Sequence, residues 1–395
     1  GVGRSFAPLN YVYGGNIGFA QTTVAETSTP DFTPLNKISN AFPDGLTKPS
    51  GASLGLATNA GNGITFTDPQ WKNPYVWQFS LGLQYEISRN LLLDLAYVGS
   101  QVRDLAVSKE YNFLTPQQLA LGAGYLNQAV ANPFYGVLPP NSSIGAQPTI
   151  TRANLLVPYP QFTNVTDTSD SIGRSSYNSL QIKGIQRMKY GLEFMVFYTY
   201  SKDEDATNFT NPQDTQLSNT LDSYDARNRL VVSGIYQFPF GHGRHWLDSG
   251  IASQIIGGWV VSTTGVISSG LPMANPSGYF IKGNPKLSSG QTMNRWFNTS
   301  PSIWVPIPPY TLSNVPLNNS SIRNPTAPQF DASLFKSFHI WRAHQLEVRI
   351  SAFNVSNTPF YYPPDNDPTS PTFGQVAIYQ MNRPRSIELG ARYSF

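Results

Sequence analysis

Through the last eleven residues of the chain, RSIELGARYSF, hydrophobic and polar side chains alternate without a break. Ile387, Leu389, Ala391, Tyr393 and Phe395 fall on one face, and Glu388, Gly390, Arg392 and Ser394 on the other. A period of two is the signature of an extended strand whose faces meet different surroundings. The same pattern recurs along the chain and predicts about nine strands. One runs near 76–87, with Trp77, Phe79, Leu81, Leu83, Tyr85 and Ile87 on a single face; Ser88-Arg89-Asn90 turns the chain into Leu91, Leu93, Leu95 and Tyr97. A second hairpin carries Leu180 and Ile182, a turn at Lys189-Tyr190-Gly191, then Leu192, Phe194, Val196, Tyr198 and Tyr200. Further strands are predicted near 228–238, 258–268, 329–338, 344–354 and 385–395.

Strands of about ten residues, at about 3.3 Å per residue and a tilt near 45°, span roughly 23 Å, the height of a membrane-spanning apolar band. The connections alternate in length. Residues 88–90, 189–191 and 339–343 are short; 99–176, 203–226, 269–327 and 355–384 are long; 239–257 is longer than a plain turn. Turns at one end and large loops at the other are the asymmetry of a transmembrane barrel. The expected fold is therefore all-β, an antiparallel transmembrane β-barrel with long extracellular loops. Residues 1–70, rich in Gly, Pro, Asn, Ser and Thr, read as a loop-rich segment of that barrel with one weak strand candidate around Tyr11 to Ala20; 71–395 carries the strands.

Composition sharpens this reading. Charged residues make up 12% of the 395, against about 25% in a soluble domain. Aromatic residues make up 13%, which suits a wall that places Tyr and Trp at the boundary between hydrocarbon and water. No run of 18 apolar residues occurs, so a membrane span has to be built from strands. The net charge of +3 is small and its basic residues are scattered, which argues against a nucleic-acid partner. With no cysteine, disulfides, thiolate metal sites and cysteine nucleophiles are excluded.

The chemical motifs are weak. Gly51-Ala52-Ser53-Leu54-Gly55 fits the nucleophile pattern G-x-S-x-G, but its flanks read as loop rather than as the required strand-to-helix elbow, so a chance match is favoured. Lys202-Asp203-Glu204-Asp205 offers clustered oxygens at the opening of a loop without the spacing of a calcium loop, and reads as a solvated charge cluster at the rim. His242 and His245, like His339 and His344, bracket turns with no third ligand nearby. No cofactor, metal or catalytic residue is predicted. Arg187, Glu193, Arg229, Glu347, Arg349, Glu388 and Arg392 fall on the polar faces of strands and are expected in the lumen. Aromatics in the long loops, Phe134, Tyr135, Tyr159, Trp296, Trp304, Tyr361 and Tyr362, are candidate ligand contacts; the alternative is that such residues form the loops' own small cores.

Several segments together resemble the barrel of Oar-like TonB-dependent receptors: DPQWKNPYVWQFSLGLQYEI, LLLDLAYVGSQVRDL, VPYPQFTNV, SSYNSLQIKGIQRMKYGLEFMVFYTYSK, DARNRLVVSGIYQFPFGHGR, GWVVSTTGVISSGLP, MNRWFNTS, NPTAPQFDASLFKSF and RPRSIELGARYSF, in the family's order. The terminal strand, Ile387, Leu389, Ala391, Tyr393 and Phe395, also resembles the signal by which bacterial outer-membrane barrels are recognised for insertion. The resemblance implies a bacterial outer-membrane protein that binds and passes a large substrate, with lipid and the barrel-insertion machinery as partners. It implies a barrel of 22 strands, of which this chain has about nine or ten from the C-terminal part. No segment resembles the family's plug or its carboxypeptidase-regulatory-like domain, so coupling to the TonB complex would run through a plug absent from this chain. Two other classes fit the alternation: a surface adhesion or structural barrel without transport, and a soluble carbohydrate-binding β-sandwich.

Overall fold

The computed structural model describes residues 1–6, 17–23, 39–138, 142–244 and 246–395. The weak strand candidate around Tyr11 lies largely outside them, as does His245. Ten strands form the wall: β1 (Val2–Phe6), β2 (Tyr75–Ser88), β3 (Leu91–Glu110), β4 (Val165–Lys189), β5 (Leu192–Asn208), β6 (Asn228–Gln237), β7 (Val260–Ser268), β8 (Ala327–Trp341), β9 (His344–Phe353) and β10 (Ser386–Ser394). Each pairs antiparallel with the next in chain order. Among the described residues β1 and β10 are not paired with one another, and the sheet is open at both ends.

Register shows why the alternation holds. Leu192, Tyr236, Val261, Leu334, Ile350 and Leu389 lie in one row across β5 to β10. One residue along, Glu193, Ile235, Ser262, Ser333, Ser351 and Glu388 form the row on the opposite face. Because successive side chains point to opposite faces, a slip of one residue would exchange the two rows, so the register is strongly specified. The apolar row faces outward. Leu81, Leu83 and Tyr85 on the same face of β2 are at least 65% exposed, as residues solvated by lipid have to be. On the polar face the Ser333 and Ser351 hydroxyls bond at 2.9 Å, and Arg349 pairs with Glu347 at 3.1 Å.

Tight turns join the strands at one end. Tyr190 and Gly191 both have positive φ (53° and 82°), as a two-residue hairpin turn matched to strand twist requires. At the other end the strands run further than their apolar stretches. β3 reaches Glu110 and β4 begins at Val165, so the expected 99–176 loop shrinks to 111–164. Beyond Val102 the ladder is bulged, with Asp104 at φ 59°, and the strict alternation is lost. Outside lipid a strand needs no apolar face, so its periodicity fades while its hydrogen bonds continue. β1 lies within the stretch read as mostly loop. Val2, Arg4 and Phe6 pair opposite Phe79, Trp77 and Tyr75. Arg4 interrupts the apolar alternation, and its guanidinium sits 4.0 Å from the Tyr75 ring centre and 4.7 Å from that of Phe6.

Candidate ligand-facing loops

The long loops fold into two small cores. Met273, Phe297, Ile303, Trp304 and Ile322 form the larger, with Trp296 and Phe373 packed against it. The rings of Phe297, Trp304 and Phe373 stand 5.2–5.5 Å apart. Both indoles satisfy their N–H groups internally, Trp304 Nε1 donating to the Asn298 carbonyl and Trp296 Nε1 to that of Arg323, each at 2.6 Å. The second core joins Leu114, Leu126 and Ala153 with Leu119, Leu156 and Tyr310, around the short helices α1 (Pro116–Leu119), α2 (Ala123–Leu126) and α3 (Arg152–Leu156). A capping box between Thr115 and Gln118 starts α1.

Seven aromatics were expected as ligand contacts, and the structure separates them. Trp296 and Trp304 are brought together, but Trp304 is only 3% exposed and its faces are spent on the loop core. Tyr135, Tyr159 and Tyr362 are exposed, on three separate segments. Phe134 and Tyr361 are partly buried; the backbone of Phe134 is held by Asn132, and Tyr361 bridges to Gln380. A cleft of about 340 Å³ between the loops is lined by Phe209, Thr220, Asn275 and Leu317, none of them singled out by the sequence.

Asp225 ties the loops to the wall. Its side chain is fully buried, accepting from Arg323 at 2.5 Å, from Arg227 at 3.5 Å and from the Asp203 backbone N–H at 2.8 Å. Arg323 also donates to the carbonyls of Asp225 and Gly270, so one guanidinium joins the 209–227 loop to the 269–326 loop. Nothing in the periodicity marks this pair, because its partners lie 98 residues apart.

Lys202, Asp203, Glu204 and Asp205 lie within β5 rather than opening a loop. Alternation therefore splits them: Lys202 and Glu204 pair at 2.7 Å on one face, while Asp203 and Asp205 point to the other. Asp203 stands above the apolar stretch of β5. Burial, then the neighbouring carboxylates Asp222, Asp225 and Asp205, push its carboxyl up to about 6. One oxygen each of Asp203 and Asp205 has no hydrogen-bond partner. Ser53 sits in a turn, its hydroxyl donating to the Ser50 carbonyl at 2.6 Å, with no strand-to-helix elbow. His242 approaches Asp248 within its own connection. His344 stacks between Trp341 and Tyr393 and bonds the Tyr393 hydroxyl at 2.7 Å. Among the described residues, no group of three His, Cys, Asp or Glu is placed to hold a metal ion, and no helix is long and apolar enough to cross a membrane.

A wall with one apolar and one polar face agrees with the family comparison: the model of the outer membrane beta barrel domain matches residues 1–388. The chain belongs to this family. It is a protein of the outer membrane, and its family is one of barrels rather than enzymes. No curated protein matches the chain. Among solved structures it is similar to the outer membrane transporter YddB from Escherichia coli, at 12% identity and a TM-score of 0.40, over 84% of this chain and 34% of that one. It is also similar to the pyoverdine outer membrane receptor FpvA from Pseudomonas aeruginosa, at 11% identity and a TM-score of 0.39, over 83% and 31%. The FrpB iron transporter from Neisseria meningitidis shows 13% identity and a TM-score of 0.37, over 83% and 32%. The chain spans about a third of the length of each. The soluble β-sandwich is overturned by the family match and by the exposed apolar face of a single open sheet.

Proposed function

We propose that this outer-membrane barrel protein contributes the C-terminal part of the wall of a receptor that binds a large substrate at its extracellular loops and passes it across the outer membrane. The carrying observation is the open sheet, ten of whose strands stand side by side as the wall, with a polar inner face and a folded cap of loops at one end. Each unpaired edge in lipid exposes backbone groups that cost several kcal/mol, so further strands are expected to complete the wall. The nine segments resembling Oar-like TonB-dependent receptors support a wall of that class, with turns toward the periplasm and 1–70 supplying an edge strand. Energy would then arrive through TonB acting on a plug outside this chain.

The test exploits the absence of cysteine. Ser351→Cys, on the lumenal row, is labelled from outside the cell with a membrane-impermeant thiol reagent, with and without a protonophore that discharges TonB. Faster labelling in energised cells supports regulated opening. Equal rates in both states would overturn it in favour of the surface adhesion or structural barrel, a reading the internal packing of Trp304 and Phe297 also suits.

A further inference from the structure

The connection between β6 and β7 is too long for a turn, and its structure gives the excess a use. Phe240 bridges to Trp246, their rings 5.6 Å apart, and the chain then enters α4 (Gly250–Ile256). Gly241 and Gly257 touch backbone to backbone where a Cβ on either would overlap the other, which pins the end of the helix against the start of the connection. Helical spacing of 100° per residue puts Ile251, Ala252, Ile255 and Ile256 on one arc and Ser253 on the opposite side. Ser253 is buried, while Ile251, Ile255 and Ile256 are 77%, 62% and 47% exposed.

What the helix packs on decides its surroundings. Lys336 shares the face of Leu334, the outward row of β8. A lysine there would stand in hydrocarbon, yet it is only 5% exposed. Its ammonium donates to the carbonyls of Gln254 and, at 3.2 Å, Ile255, at the C-terminal end of α4, where a cation is favoured. Trp259 Nε1, from the start of the neighbouring strand, donates to the same Ile255 carbonyl at 3.0 Å. The helix therefore lies against the lipid-facing side of the wall at its turn end. The rim around it carries the outward aromatic column Tyr236, Phe238 and Phe240. It also carries cations beside rings, Lys189 at 5.3 Å from Tyr190 and Arg342 at 4.4 Å from Trp341.

We propose that α4 is an interfacial anchor, seated on the membrane with Ile251, Ile255 and Ile256 at the boundary between acyl chains and phosphate headgroups of the turn-side leaflet. Its exposed arc continues the apolar surface of β6 to β8, and the cationic rim matches anionic headgroups. Lys336 acts as a positioning residue that clamps the helix to the wall.

The test places a nitroxide on Ile255→Cys, and separately on Ile251→Cys, in the protein held in isolated outer membranes. Accessibility to oxygen, which concentrates in lipid, is expected to exceed accessibility to a water-soluble nickel chelate several-fold, with the reverse at the loop-end control Leu312→Cys. Lys336→Met is expected to raise the mobility of the 255 label without changing the control. Nickel accessibility at 251 and 255 equal to the control would overturn the proposal. Shielding from both relaxers would also overturn it, pointing to a protein on this face.

Discussion

The two ends of the wall solve opposite problems with the same residue types. At the loop end the aromatics of the larger core turn inward: Phe297 and Trp304 are buried, and Trp296 beside them donates to the carbonyl of Arg323, whose guanidinium holds Asp225. At the turn end they turn outward, Tyr190 being 90% and Trp341 59% exposed. A loop in water is held together by the aromatics it buries, whereas a rim in the membrane interface gains by exposing them. Aromatic content therefore carries no single meaning along this chain; the medium at each end decides it.

The sharpest way to break the loop end is Arg323→Met. It leaves the buried Asp225 carboxylate with the Asp203 N–H and the more distant Arg227 guanidinium, an expected loss of about 3–5 kcal/mol in the stability of the joined loops. Faster proteolysis within 209–227 and 269–326, with the wall still resistant, is the expected result. Adding Asp225→Asn should recover part of it, since the double change removes the stranded charge.

In the wall, Val196→Arg on the outward row should cost about 2–4 kcal/mol of folding into bilayers. Phe197→Gln, one residue along and facing the lumen, should cost less. Equal losses would mean that the two faces share one medium.

Asp203 gives a smaller, pH-dependent effect. Its folded carboxyl titrates at about 6, above the ordinary 3.8, so the folded state favours the protonated form. The resulting destabilisation is fully present above pH 6 and is lifted as pH falls toward 4. The loop end should therefore resist protease better at pH 5 than at pH 7, by about 1 kcal/mol once solvent screening is allowed for. Asp203→Asn should flatten that dependence and match the acid behaviour at pH 7.

Smallest in stability, at under about 0.5 kcal/mol, is deletion of Phe395, whose side chain is 90% exposed. Its expected effect is on assembly: the amount reaching the outer membrane falls while translation is unchanged. An undiminished outer-membrane level would show that the insertion machinery does not need this residue.

The strands of the wall were legible because lipid on one side and lumen on the other impose period two, and the rows through Leu334 and Ser333 are that rule in space. The short-and-long rhythm of connections was legible too. β1 was not, because Arg4 occupies an outward position and the segment is brief. The strand extensions beyond Gly99 were hidden because a sheet in water places no demand on hydropathy. At the loop end, composition marked aromatics without saying which would be buried. Tyr135 and Trp304 look alike in sequence, yet only Trp304 meets Phe297 and Phe373, the latter 69 positions away along the chain. The Asp225–Arg323 pair was invisible for the same reason.

Strand order that follows chain order also governs how this protein can change over generations. Each long loop leaves the wall and returns to the adjacent strand, so doubling its length adds only about 0.6 kcal/mol of closure entropy and moves no strand. None of these loops can be exchanged alone: Phe297 and Trp304 of the 269–326 loop share a core with Phe373 of the 354–385 loop, and Tyr310 of the 269–326 loop packs on the 111–164 core and donates to Asn127 Oδ1 at 2.6 Å. New sequence in any one has to arrive with matching changes in the others, which makes the three a single unit of variation.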